Sequence, residues 1–101
     1  MQKSQVQNNM TTLLKIKEPP KYNVILHNDD VTTMDFVIFV LHSIFRKSLK
    51  DAEVLMMKVH NEGSAVAGTY TKDIAESKVK KSIRLARANN FPLELTTEEV
   101  L

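Results

Sequence analysis

Apolar positions recur along this chain with two different periods, and each change of period marks an element. Tyr22 to His27 has an unbroken Val24-Ile25-Leu26 centre, which predicts a strand covered by helices on at least one face. After a polar interval, Phe36, Val37, Ile38, Phe39, Val40, Leu41, Ile44 and Phe45 occupy nearly every face of a helix predicted from Thr33 to about Arg46. A helix this apolar is mostly buried or lends one face to a partner. Its start carries Thr32-Thr33-Met34-Asp35, a capping-box form that assigns the N-cap to Thr32. Ser48-Leu49-Lys50-Asp51 repeats the form and opens a second helix, with Ala52, Leu55, Met56 and Val59 at spacings of three and four. Gly63 stops it, where a left-handed C-cap is needed.

Ser64 to Tyr70 reads as a second strand. Thr71 then caps a third helix that carries Ile74, Ala75, Val79, Ile83 and Ala86 along one stripe, with Lys80, Lys81, Arg84 and Arg87 opposite. Asn89-Asn90 ends this helix and Pro92 prevents its return. Leu93 to Thr97 is predicted as a short last strand with a frayed acidic end. The order β-α-α-β-α-β, with helices on one face of a three-stranded sheet, predicts a two-layer α+β domain.

Composition divides the chain once. Residues 1–18 are rich in Gln, Asn, Ser, Thr and Lys, with Leu13-Leu14-Lys15-Ile16 as their main apolar cluster, and read as a flexible N-terminal extension. Pro19-Pro20 disfavours helix before it and marks the start of one folded domain over residues 19–101. Cysteine is absent, so no disulfide, thiolate nucleophile or cysteine metal site is available. No leader pattern and no apolar run of ~18 residues is present, which predicts a soluble, cytoplasmic protein without a membrane partner. The net charge of +2 lies in the extension, where Lys3, Lys15 and Lys17 face Glu18; residues 19–101 hold eleven basic and eleven acidic side chains. A neutral folded domain argues against nucleic acid as a partner.

Asn28-Asp29-Asp30, between the first strand and the first helix, exceeds what a turn needs. Two carboxylates and an amide form an acceptor-rich spot suited to a cation with several N–H donors, or to a metal, a lysine or a free α-amino group. Adjacent residues on an extended segment point to opposite sides, so Asp29 and Asp30 make a poor acid/base pair, and no nucleophile lies nearby. Histidines 27, 42 and 60 match no metal-ligand spacing, so neither a metal nor another cofactor is expected. The basic stripe of the third helix lacks interleaved aromatics and reads first as a solvated face. Met56 and Met57 read first as core or surface residues, and His60 as a helix-end residue.

In combination these residues resemble one family. Pro19-Pro20, Tyr22, Val24-Ile25-Leu26, Asn28-Asp29-Asp30, Thr32 and Met34-Asp35-Phe36-Val37 are followed by Val59-His60, Gly63, Ala75-Glu76, Lys78-Val79 and Pro92-Leu93. This pattern, from about Pro19 to Thr97, resembles the ClpS family, adaptors of the Clp ATP-dependent protease in bacteria and plastids. The resemblance implies a non-enzymatic adaptor of the N-degron pathway. Such an adaptor binds substrates beginning with Leu, Phe, Tyr or Trp and hands them to a ClpA-type unfoldase. It also implies a fold like the C-terminal domain of ribosomal protein L7/L12.

Residue by residue, the resemblance makes Asn28, Asp30 and His60 ligands of the substrate's α-ammonium, and Asp29 a contact to the backbone behind it. It assigns Thr32, Met34, Val37, Met56, Val59 and Leu93 to the pocket for the first side chain, with Met34 screening out β-branched residues. Asp73 and Lys78 match positions that contact the unfoldase N-terminal domain, and the extension matches a segment engaged during delivery. Thr33 departs from the Pro common at its position, although both suit a first helical turn. The rival readings are an L7/L12-like interaction module with no amine pocket and a small enzyme using Asp29, Asp30 and His60.

Overall fold

The computed structural model describes residues 19–101. Strand β1 (Lys21–His27) leads to helices α1 (Met34–Ser43) and α2 (Leu49–Glu62), then β2 (Ser64–Thr71), α3 (Lys72–Ala88) and β3 (Glu94–Glu99). The three strands form one antiparallel sheet in the order β2-β1-β3, so the strand with the unbroken aliphatic centre is the middle one. Helix α3 lies against all three strands, α2 packs on β2, and α1 packs on α2. The result is the two-layer α+β domain that the element order predicts. The flexible extension expected over residues 1–18 lies outside the described residues.

Side-chain alternation explains the layering. Val24 and Leu26 of β1, Ala65 and Ala67 of β2 and Leu95 of β3 are buried together with Val40, Leu41, Ala52, Ala75 and Ala86 from the helices. Tyr22 is partly buried against this core, whereas Asn23, Ile25 and His27 take the alternate positions of β1. There His27 Nε2 pairs with the Thr96 hydroxyl at 2.7 Å, and the Thr69 hydroxyl donates to Asn23 Oδ1 at 2.6 Å. The ladder register shifts between Val24, opposite Gly68, and Ile25, opposite Val66. Ala67 is therefore the extra residue of a bulge.

Three element ends differ from the sequence expectation, and one predicted cap keeps its position without its bond. The N-cap of α1 is Thr33, whose hydroxyl accepts from the Phe36 N–H at 3.2 Å, because the Thr32 hydroxyl is already bonded to Asp29. Helix α1 stops at Ser43 rather than about Arg46, and the turn passes through Arg46 at φ 60°. Thr71 occupies the N-cap position of α3 but makes no capping side-chain bond. The last strand is not frayed at its acidic end: Glu98 and Glu99 pair with Asn23 and Tyr22, because the central strand offers them free ladder positions. At α2 the expectations hold, with Ser48 accepting from the Asp51 N–H at 3.1 Å and Gly63 at φ 92°.

Candidate functional site

The site assembles where two chain segments meet at one end of the sheet. One is the loop from β1 to α1, carrying Asn28, Asp29, Asp30 and Thr32; the other is the last two turns of α2, carrying Met56, Val59 and His60. Gly63 joins them. Its left-handed conformation reverses the chain after α2 so that Ser64 pairs with His27, and its carbonyl accepts the Asn28 N–H at 2.9 Å. Asn28 is thereby clamped one helical turn from His60.

Between these segments lies an open concavity of about 380 Å³, within the ~300–1,000 Å³ typical of small-molecule sites. Asn28, Asp29, Asp30 and His60 line it together with Val31, Thr32 and Thr33, and Met34, Val37, Met56 and Val59 supply its apolar wall. Met34 and Val37, and Met56 and Val59, are spaced three apart on their helices, so each pair faces one way. Met56, Val59 and Val37 are buried, whereas Met34 is 44% exposed, at the rim. The structure therefore gathers most of the predicted site in one place.

The acceptors differ in how they are used. Asp29 is bound into its own loop: Oδ1 accepts from the Val31 N–H at 2.8 Å and the Thr32 N–H at 2.6 Å, and Oδ2 from the Thr32 hydroxyl at 2.7 Å. Partial burial pulls this carboxyl upward, but those donors and the positive charge of Arg87 together hold it below the usual carboxylate value. A carboxylate has about four lone-pair positions, so one remains for a further donor. The side chains of Asn28, Asp30 and His60 are exposed and make no hydrogen bond to another described residue. Three acceptors without partners among the described residues thus border the apolar wall. Among the described residues no three His, Cys, Asp or Glu side chains converge as a metal site would require.

Three predicted residues stand apart from the concavity. Leu93 is fully buried in the core and does not line it. Its backbone carbonyl and that of Phe91 accept from Arg87 Nη1, both at 2.9 Å, which ties down the turn before β3. Asp73 and Lys78 sit together at a separate hollow beside the end of α1. Lys78 also has a structural bond, since its Nζ donates to the Ile44 carbonyl at 2.7 Å and lies 5.2 Å from the Tyr70 ring centroid. Burial lowers the Lys78 pKa, and the charges of Arg46 and Lys81 lower it further. Val31 and Thr33 line the concavity without having been singled out; as loop positions inside the polar run they carried no periodic signal.

Fold and site together define a small ligand-binding domain suited to a ligand that joins N–H donors to an apolar group. A family profile described as ATP-dependent Clp protease adaptor protein ClpS matches residues 17–96. The chain is 52% identical over 85 residues to the Clp protease adapter protein ClpS of Campylobacter jejuni subsp. jejuni, covering 84% of this chain and 88% of that one. It is 49% identical over 86 residues to the ClpS of Lawsonia intracellularis, covering 85% of this chain and 79% of that one. The structure of Agrobacterium tumefaciens ClpS2 bound to L-phenylalaninamide superposes with a TM-score of 0.80 at 42% identity, over 82% of this chain and all of that one. The chain belongs to the ClpS family: it is an adaptor of the Clp protease and not an enzyme.

Proposed function

We propose that this adaptor binds the free N-terminal residue of a substrate protein, with Leu, Phe, Tyr or Trp first, and delivers that substrate to a ClpA-type unfoldase. The observation that carries the reading is the convergence of three acceptors without partners among the described residues, Asn28, Asp30 and His60, on one apolar wall. A free ammonium has three donors, which an amide oxygen, a carboxylate and an imidazole nitrogen satisfy together. An acetylated or internal amide brings fewer donors and no charge, and leaves acceptors unpaired. Mismatches of this kind discriminate by orders of magnitude. Phenylalaninamide, the ligand of the Agrobacterium relative, has both required parts, a free α-amine and an apolar ring.

The remaining assignments belong to the same proposal and rest on the family pattern together with the site's geometry. The spare lone pair of Asp29 suits the next backbone N–H of the substrate. Burying a Leu or Phe side chain against Met34, Val37, Met56 and Val59 contributes roughly 1.5–3 kcal/mol, comparable with one charge-assisted hydrogen bond. Thr32 borders the pocket while its hydroxyl holds Asp29. Leu93, buried in the core, is kept as a pocket residue on the family pattern alone. Asp73 and Lys78 form the face that meets the unfoldase N-terminal domain, residues 1–18 act during delivery, residues 19–101 form the adaptor core, and the complex works in the cytoplasm. Fluorescence binding of peptides beginning with Leu, Phe, Val and acetyl-Leu tests the core of the proposal. Leu and Phe peptides should bind and the acetylated one should not; equal binding of all four defeats it. Reconstituted degradation of a Leu-initiated reporter, with and without the adaptor, tests delivery separately.

A further inference from the structure

A second concavity, of about 500 Å³, runs between α1 and α3 and shares no lining residue with the amine-binding site. Phe39, Ile44, Leu85 and Ala88 make it apolar, and among the described residues Lys81 and Arg84 are its only charged lining. Phe39 is 52% exposed, although it sits on the most apolar helix of the fold. From Lys78 to Ala88, α3 carries Lys78, Lys80, Lys81, Arg84 and Arg87 and no acid. An accessible aromatic beside an arginine at a concave spot has the composition of an interaction hot spot.

We propose that this groove, which shares Ser43, Ile44 and Lys81 with the hollow at Asp73 and Lys78, is a further protein-docking surface that takes a segment of a partner protein that sets carboxylates beside aliphatic or aromatic side chains. The apolar floor calls for a hydrophobic anchor, and Lys81 and Arg84 at its edge call for flanking carboxylates. The chain's own N-terminal segment is the wrong occupant, since its apolar cluster Leu13-Leu14-Lys15-Ile16 carries Lys15 and is followed by Lys17. Nucleic acid fits less well, because the lining offers one aromatic and a mainly apolar surface rather than a tracked row of cations with stacking platforms. The inference does not rest on the amine-binding reading.

The test uses the full chain and a labelled, N-acetylated peptide of repeated Glu-Leu-Leu-Glu units, the acetyl group keeping it out of the amine-binding site. Saturable binding is expected. Phe39→Ser and Arg84→Glu should each weaken it about tenfold, as removal of a central anchor or a complementary charge does at other interfaces. Added salt should weaken it too, and both variants should bind a Phe-initiated peptide like the parent protein. Equal binding of a lysine-for-glutamate peptide, or indifference to both variants, overturns the proposal. Tighter binding of a single-stranded oligonucleotide, lost in the same variants, overturns it in favour of nucleic acid. Self-association in sedimentation that disappears with Phe39→Ser overturns it in favour of a second copy.

Discussion

Replacing Asp29 tests whether this carboxylate is a scaffold for the acceptors on either side of it. Asp29→Ala removes the acceptor of three bonds of 2.8, 2.6 and 2.7 Å. A hydrogen bond to a charged group is worth ~1.5–3 kcal/mol when buried, but Val31 is exposed and Thr32 only half-buried, so water recovers much of it. Side-chain acceptors of this N-cap kind cost ~0.5–2 kcal/mol on deletion, which sets the expected loss at about 1–2 kcal/mol. With a urea dependence of ~1–2 kcal/mol per molar for a domain this small, the midpoint falls by roughly 1 M. Asp29→Asn keeps one oxygen for the two N–H groups and turns its amide toward a hydroxyl that can accept, so it loses less than half as much.

The pH dependence carries a sign. The folded Asp29 pKa lies below its unfolded value, so between the two the unfolded chain binds more protons and stability rises with pH. The contribution is complete above the unfolded value of ~3.9 and is lost as pH falls through the folded one. The gap between parent and Asp29→Ala should therefore be constant from pH 7 to about 5 and narrow below ~4. Peptide affinity should fall several-fold in Asp29→Ala, because Asn28 and Asp30 lose their fixed spacing, and recover in part in Asp29→Asn. An Asp29→Ala protein that unfolds with the parent at pH 7 would refute the scaffold role.

Other perturbations separate the parts of the fold. A methyl at Gly63 meets nothing within 4 Å, so Gly63→Ala should cost only the left-handed backbone penalty of ~1–2 kcal/mol, and an unchanged thermal midpoint would contradict it. Lys78→Met removes the bond to the Ile44 carbonyl and should lower stability by about 1 kcal/mol as well as weaken capture by the unfoldase N-terminal domain. Loss of capture with unchanged stability would show that the bond at Ile44 contributes nothing. Met34→Ala at the exposed rim should leave stability within ~0.5 kcal/mol and admit peptides beginning with Val or Ile. Undiminished rejection of both by anisotropy would remove Met34 as the gate.

Elements set by local chemistry were legible in the sequence, and competition between neighbours was not. Ser48 and Gly63 bound α2 because no adjacent residue offers the same cap. At α1 two threonines stand side by side, and the capping-box spacing to Asp35 favoured Thr32. The choice went to Thr33 through the bond between Thr32 and Asp29, which no periodicity encodes. The acidic end of β3 looked frayed because charge is visible in a sequence and an open ladder position on β1 is not. Asn28-Asp29-Asp30 carried its signal in residue type, whereas His60 and the apolar wall, which read first as a helix end and as core, were assigned only through the family resemblance. That Leu93 is buried and Lys78 is bonded to Ile44 depends on packing between elements remote in sequence. The groove at Phe39 stayed hidden, since an exposed aromatic on an apolar helix has the same pattern as a buried one.

Two adjacent aspartates thus do unlike work for a reason that lies in the loop and not in the residues. Asp29 faces its own backbone and stays charged by accepting from it, whereas Asp30 is exposed and free to accept from elsewhere. The folded domain carries no net charge, so on the proposed reading selection of the ligand rests on the spacing of a few acceptors rather than on a broad field. That spacing spans two elements, and the described bond that joins them at the site runs from the Asn28 N–H to the Gly63 carbonyl. A glycine read from the sequence only as a helix stop therefore also positions His60 against Asn28. Asp29 holds one side of the acceptor set and Gly63 the other, so damage to either should weaken amine binding while every proposed amine ligand remains in place.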